Sequence, residues 1–312
     1  MAVTLMDAAV QGEQYNPKDQ TVIKMFMEIS PIAEILPFDK IDGNSYTYYQ
    51  EGTLPGVQWR GVNQSYSEST GVVNPLIERL MILGGEVKID NYIVNTQPSR
   101  APSEKRKQFM MKTQAAAREF SRAFFEGSDL VDINELVGLR RRITGSGQLI
   151  LQASGGGALT LAKLDDTIDA VTVGTKHIFS NRFLRRKAQR LAEAAGNSVT
   201  FNYTPGTFGK PWETYAGIPW HIVEDSGDGT SLLDDDEDPG DGASDTGSLY
   251  VVGVGEDGVH GIFNGPDGKS FSVKDFGELE GEPRHMGRVE AYLGMAIKHP
   301  RSAARLYGIL NT

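Results

Sequence analysis

Residues 44–66 hold five of the fourteen tyrosines and tryptophans of this 312-residue chain, in a stretch too short to enclose them. The run ILPFDKIDGNSYTYYQ alternates in short steps and sets Tyr46 and Tyr48 on one face of a strand. TLPG at 53–56 supplies a turn, and Val57 and Trp59 resume the period of two. A two-stranded hairpin alone is marginal in water and needs a surface to lie on. Tyr and Trp are also the residues that give contact area at interfaces. The residues leave two partners open: the chain's own domain, or a neighbouring subunit. Residues 1–30 carry few apolar side chains before MFMEIS and Pro31, which predicts an extended arm that buries little of itself.

Further along, EVKIDNYIV (86–94) reads as a strand with Val87, Ile89 and Ile93 among polar neighbours. The strongest helix runs from Pro102 to Glu126, with Pro suited to the first turn and Gly127 to the residue past the end. Phe109, Ala116, Phe120 and Phe124 form its apolar stripe, and Lys105, Arg106, Lys107, Lys112, Arg118 and Arg122 make the rest basic. Residues 136–150 read as a turn of helix with a Gly-rich exit, 158–171 and 181–196 as helices, and 176–181 as a buried strand. Asn181 is placed as an N-cap and Gly196 as a stop. Strands follow in VTFNY and IPWHIVED, then SLYVVGVG (248–255), a hairpin around PDG over 261–273, and a long apolar element broken at Pro300 before a last strand. Helices and strands mix without strict alternation, so the class is α+β.

The formal charge of −10 is concentrated in one place. Nine acids and no bases lie between Asp225 and Asp245, and without them 32 acids face 31 Lys and Arg. The Asp-, Gly- and Ser-rich stretch 225–248 predicts a disordered or highly mobile surface loop. No bulk basic excess of the kind tight nucleic-acid binders show is left. The 36 glycines, well above the usual share of about 7%, favour turns and strand corners over a helical bundle. With no Cys, disulfides, thiolate metal sites and cysteine nucleophiles are excluded, in keeping with a reducing cytoplasm. The first residues lack a signal-peptide pattern, and no stretch nears the roughly 18 apolar residues of a membrane span, so no membrane partner is expected.

Chemical motifs fail one by one. FNGPDGKS (263–270) approaches a phosphate loop, but Phe263 stands where Gly is required and a strand follows, so it reads as a turn. GSG (145–147) and GGG (155–157) lack dinucleotide spacing, and His177, His221, His260, His285 and His299 lack metal-ligand spacing. Asp234, Asp236 and Asp238 alternate like the start of a calcium loop, but Pro239 takes the place of its Gly. No catalytic, cofactor or metal site is expected, and the chain reads as a non-enzyme. Arg182, Arg185, Arg186, Lys187 and Arg190 suit either a solvated helix face or non-specific phosphate contact.

The order of segments resembles the major capsid proteins of tailed bacteriophages, a fold shared with encapsulins. The residues that carry it are SPIAEILPFDKIDGNSYTYY (30–49), VNPLIERLMILGGEVKIDNYI (73–93), KRKQFMMKTQAAAREFSRAFFEG (105–127), LVGLRRRIT (136–144) and MGRVEAYLGMAIKHPRSAARLYGI (286–309). The resemblance covers nearly the whole chain and rests on order and spacing. It implies an N-terminal arm (1–33), an extended loop (34–75), a peripheral domain with a spine helix (76–144 and 256–297), and an axial domain (145–255 and 298–312). It further implies hexamers and pentamers of the chain itself, closed into an icosahedral head around double-stranded DNA, in a virion assembled in the host cytoplasm. A portal, a separate scaffolding protein and a decoration protein are the other implied partners. Contact candidates between subunits are Tyr46, Tyr48, Trp59, Arg60 and Tyr66. Candidates for non-specific DNA or interface contact are Lys105, Arg106, Lys112, Arg185 and Arg186. Some relatives form an isopeptide link from a Lys in the extended loop; no Lys occurs between Ile41 and Val87, so none is expected. The alternatives are an encapsulin-like cage around protein cargo and, remotely, a monomeric enzyme.

Overall fold

The spine helix organises everything around it. In the computed structural model, which describes residues 17–96, 99, 101–196, 201–205, 211–223, 231–233, 237–239, 245–265 and 270–310, it spans Ala101–Glu126. Ala117, Phe120 and Phe124 bury its apolar stripe. Its exit is closed by backbone: Gly138 N–H donates to the Gly127 carbonyl at 2.8 Å. A Cβ on Gly127 would sit 2.0 Å from the Leu136 carbonyl oxygen, so only glycine fits.

Fourteen strands are described: β1 (Phe38–Lys40), β2 (Ser45–Thr53), β3 (Val72–Arg79), β4 (Met81–Asp90), β5 (Leu149–Leu151), β6 (Thr175–Ser180) and β7 (Phe201–Pro205) come first. Then follow β8 (Pro211–Tyr215), β9 (Ile218–Ile222), β10 (Thr246–Val254), β11 (Val259–Phe263), β12 (Phe271–Leu279), β13 (Glu282–Ile297) and β14 (Ala303–Leu310). All but β2 and β3 share one sheet with the path β12-β13-β11-β10-β6-β9-β8-β7, to which β4, β1, β14 and β5 add. One apolar cluster joins the spine helix to β12 and β13 through Phe120, Phe124, Phe271 and Leu293. A second, through Leu164, Leu184, Trp220 and Leu306, joins the helices Leu161–Ala170 and Arg182–Ala194 to β6, β9 and β14. Asn181 caps the latter helix, its side chain accepting from Leu184 N–H at 2.8 Å.

Four expectations change. The first concerns the arm, of which 1–16 lie outside the described residues: Pro17–Ile29 is a helix docked on the spine. Ile23 and Phe26 are fully buried and Met27 is 1% exposed. The Phe26 ring centre lies 5.6 Å from that of Phe120 and 4.6 Å from that of Phe271. Ser30 ends this helix and starts the next, Pro31–Ile35, accepting from Ala33 N–H at 3.3 Å and from the Ser121 hydroxyl at 2.8 Å. Phe26→Ala should therefore cost about 3–5 kcal/mol in urea unfolding, where a detachable arm would lose under about 0.5.

Second, the strand read over 86–94 stops at Asp90, whose carboxylate accepts from Tyr92 N–H at 2.8 Å and turns the chain into a short helix, Asn91–Thr96. Third, β11 and β12 form no hairpin with each other. Both pair with β13, which separates them in the sheet, because the long strand offers more partners than a local turn does. The PDG turn itself lies outside the described residues. Fourth, the acidic stretch is tied down where it is described. Leu233 and Glu237 are each 2% exposed, and Thr246 to Ser248 are buried at the start of β10.

Candidate functional site

The hairpin of β2 and β3 stands apart from the main sheet, paired antiparallel from Ser45↔Arg79 to Thr53↔Val72. Its root is anchored. Ile41 and Tyr48 pack with Ile262 and Ala296 of the main sheet, flanked by Tyr46, Leu76 and Leu80. The Tyr48 hydroxyl donates to Glu78 at 3.3 Å, and Glu78 receives both arms of the Arg142 guanidinium, one at 2.7 Å. Burial, with Glu78 beside it, pushes the Tyr48 hydroxyl up to about 12, so it stays a donor at any working pH.

The tip has no such anchor. Val57, Trp59 and Val62 are 98%, 103% and 92% exposed, and Leu54 and Tyr66 are largely exposed too. Exposed apolar side chains grouped in this way mark an interaction surface. The tip is nonetheless ordered by its own polar groups. Arg60 donates to the Gln64 carbonyl at 3.0 Å and lies 5.2 Å over the Tyr66 ring. The Gln64 side chain accepts from Gly61 N–H at 3.0 Å, and Ser69 accepts from Gly56 N–H at 2.8 Å. Asn63, at φ +65°, takes the left-handed turn position that Asn tolerates best after Gly. A surface shaped before it meets a partner spends less ordering entropy on binding.

The five contact candidates therefore split. Trp59, Arg60 and Tyr66 all lie in the exposed tip, Arg60 over the Tyr66 ring, whereas Tyr48 is buried in its own subunit and Tyr46, stacked on it at 5.8 Å, belongs to the root. The packing of Tyr48 and its bond to Glu78 are made within the subunit. The sequence hid this because alternation tells which residues share a face, but not what covers that face. The basic candidates divide too. Lys105 pairs with Asp275 at 2.6 Å and Arg185 with Glu213, while Arg106, Lys112 and Arg186 are exposed. They sit on two helices, Ala101–Glu126 and Arg182–Ala194.

Two buried features carry charge or protons. Glu237 receives Arg305 at 2.6 Å, with side chains 3% and 9% exposed, and accepts from Ser248. Arg140 stands 3.6 Å from its other oxygen. Elsewhere His177 Nδ1 and His221 Nε2 lie 3.1 Å apart under Trp212. Burial pulls His177 down to about 4; burial, then its neighbour's charge, pulls His221 to about 3. Between roughly pH 6.5 and 4 the unfolded chain takes up protons that the folded pair refuses, so stability falls as pH falls through that window. His177→Phe/His221→Phe should flatten the loss, on the order of 2–3 kcal/mol for each histidine, when urea unfolding at pH 7 and pH 4.5 is compared. Among the described residues no group of three or more His, Asp or Glu is placed to hold a metal ion. None of the described helices is long and apolar enough to cross a membrane.

Neither a family model nor a curated protein matches this sequence. Solved structures do match its shape. The holo-SrpI encapsulin complex of Synechococcus elongatus PCC 7942 aligns over 100% of this chain and 98% of its own, with TM-score 0.67 and 16% identity. A structure of Mycobacterium phage Adephagia aligns over 91% and 90%, with TM-score 0.62 and 11% identity. The capsid of a native GTA particle aligns over 89% of both chains, with TM-score 0.60 and 12% identity. The chain has the capsid fold of tailed phages and encapsulins.

Proposed function

We propose that this chain is a major capsid protein, whose copies join as hexamers and pentamers into an icosahedral head around the double-stranded DNA of a tailed phage. The observation that carries the reading is the hairpin tip, ordered yet bare, with Trp59 wholly exposed in the single subunit. An exposed apolar group of this kind marks an interaction surface, and an adjacent copy of the capsid fold would supply the other half. In this reading 1–33 act as arm, 34–75 as extended loop, 76–144 with 256–297 as peripheral domain, and 145–255 with 298–312 as axial domain. With no Lys between Ile41 and Val87, contact alone holds the loop. Arg106, Lys112 and Arg186, exposed on their helices, are suited to non-specific phosphate contact. A portal, a separate scaffolding protein and a decoration protein would complete the particle, in the virion and its cytoplasmic precursor.

One observation favours a second filling. The encapsulin alignment spans the whole chain, the docked helix Pro17–Ile29 included, whereas the phage and GTA alignments leave about a tenth uncovered. A cage around protein cargo is therefore the alternative. Particles purified from the native source decide between them. An absorbance ratio dominated by nucleic acid supports the DNA-filled head, a protein-like ratio with a second polypeptide inside supports the cage, and a lone monomer contradicts both.

A further inference from the structure

The ribbon of β2 and β3 joins the body through two short connections. Residues 41–44 lead in from β1, and the single residue Leu80 leads out to β4. Gly43 sits at φ +93°, with nothing within 4 Å of the place where a Cβ would be, and its carbonyl accepts from the Asn264 side chain at 2.9 Å. Leu80 N–H donates to the Asn44 carbonyl at 3.1 Å, so the two connections lie side by side. This is the form of a pivot, and a ribbon held only there could turn about that line.

Two kinds of contact stand against the turning. Ile41 and Tyr48 meet Ile262 and Ala296 in a small apolar cluster. Apolar contact is non-directional, so it holds the root down without fixing where the ribbon points. The second kind is directional. Arg142 closes both arms of its guanidinium on the Glu78 carboxylate, one at 2.7 Å, and each side chain is only 16% exposed. Its Nε donates to the Val137 carbonyl at 2.8 Å, which aims the fork. The Tyr48 hydroxyl donates to the same carboxylate. Arg142 in turn ends the short helix Leu139–Arg142. Leu139 and Ile143 are buried in one cluster with Phe124 of the spine, and Gly138 is bonded to Gly127 at the spine's end. A line of contacts therefore runs from the spine helix through Arg142 to β3.

We propose that Arg142 and Glu78 are the positioning pair of the extended hairpin, whose two-armed bond sets the direction in which the ribbon presents Trp59. The part this plays in assembly rests on the tip being the contact between copies. Glu78 stands opposite Tyr46, near the root. Thr53, at the end of β2, lies seven residues beyond Tyr46, which at about 3.4 Å each is a lever of about 24 Å. A swing of about 10° at the root then moves the far end by about 4 Å, enough to take Trp59 off a fitted seat. The fork resists such a swing because both of its N–H···O bonds have fixed directions.

The chain has no Cys, so spin labels on Ser67→Cys in the tip and Lys107→Cys on the spine helix, both exposed positions, read the direction of the ribbon in single subunits by double electron–electron resonance. With the native pair in place the labels should give one narrow distance. Glu78→Gln keeps the side chain's size and Arg142→Lys its charge, but each loses the fork, and each should spread the distance by about 4 Å or more. Leu76→Ala, which trims the apolar root and spares the pair, should keep the distance narrow. In assembly, Glu78→Gln should lower the yield of closed particles about tenfold or more, as the loss of a bond between charged groups does. A broad distance with the native pair, a narrow one kept in both pair variants, or an equal spread in Leu76→Ala would each overturn the positioning role. Closed particles at native yield from Glu78→Gln would overturn its part in assembly. A native chain that gives the narrow distance but no particles would contradict the shell and leave the pair standing.

Discussion

Trp59→Ala should leave the subunit's urea midpoint unchanged and abolish closed particles. The side chain is 103% exposed, so its removal takes nothing from the fold, and substitutions at such positions stay within about 0.5 kcal/mol. An interface tryptophan is worth about 2 kcal/mol or more, which is roughly thirtyfold in each contact. A shell repeats that contact at every subunit, so the losses compound. Sedimentation of assembled against unassembled protein, beside urea titration of the subunit, separates the two effects. Equal loss of folding and assembly would show that Trp59 packs on its own body.

Glu237→Ala should destabilise the subunit by about 3–5 kcal/mol, because it leaves the Arg305 guanidinium buried without its partner. Ser248 loses an acceptor in the same step, and Arg140 a counter-charge. Glu237→Leu combined with Arg305→Met should recover most of the loss, since a buried ion pair exchanged for apolar groups of similar volume is often neutral. Urea midpoints of the three variants give the cycle. A cost under about 1 kcal/mol for Glu237→Ala would mean that the acidic segment is not docked.

These two sites mark the boundary of what the sequence disclosed. The spine helix was legible to within a residue because period, N-terminal proline and terminal glycine all agree, and such signals are local. The α+β class followed from the mix of elements, and the outgoing strand β2 from alternation around Tyr46 and Tyr48, but the return strand read at Val57 and Trp59 is not there: 54–71 form the tip and β3 begins only at Val72. The docked helix Pro17–Ile29 was missed, although Pro17 and the pairs Val22–Ile23 and Phe26–Met27 have helical spacing. Its burial comes from Phe120 and Phe271, and no local pattern announces partners that distant. Glu237 was hidden differently. In a stretch with nine acids each reads as solvated, and Glu237 is buried by its pairing with Arg305, 68 residues on. The pairing of β11 and β12 with β13 failed for a like reason: proximity in sequence favoured a hairpin, and the long strand won on contact.

The account rests on the hairpin tip being completed by another copy of the chain. Electron cryomicroscopy of particles formed by the full-length protein tests this directly. The expected map shows each β2–β3 ribbon lying across an adjacent subunit, with Trp59 enclosed by that neighbour. A map or isolated subunit with the ribbon folded onto its own body, and Trp59 covered there, would contradict it.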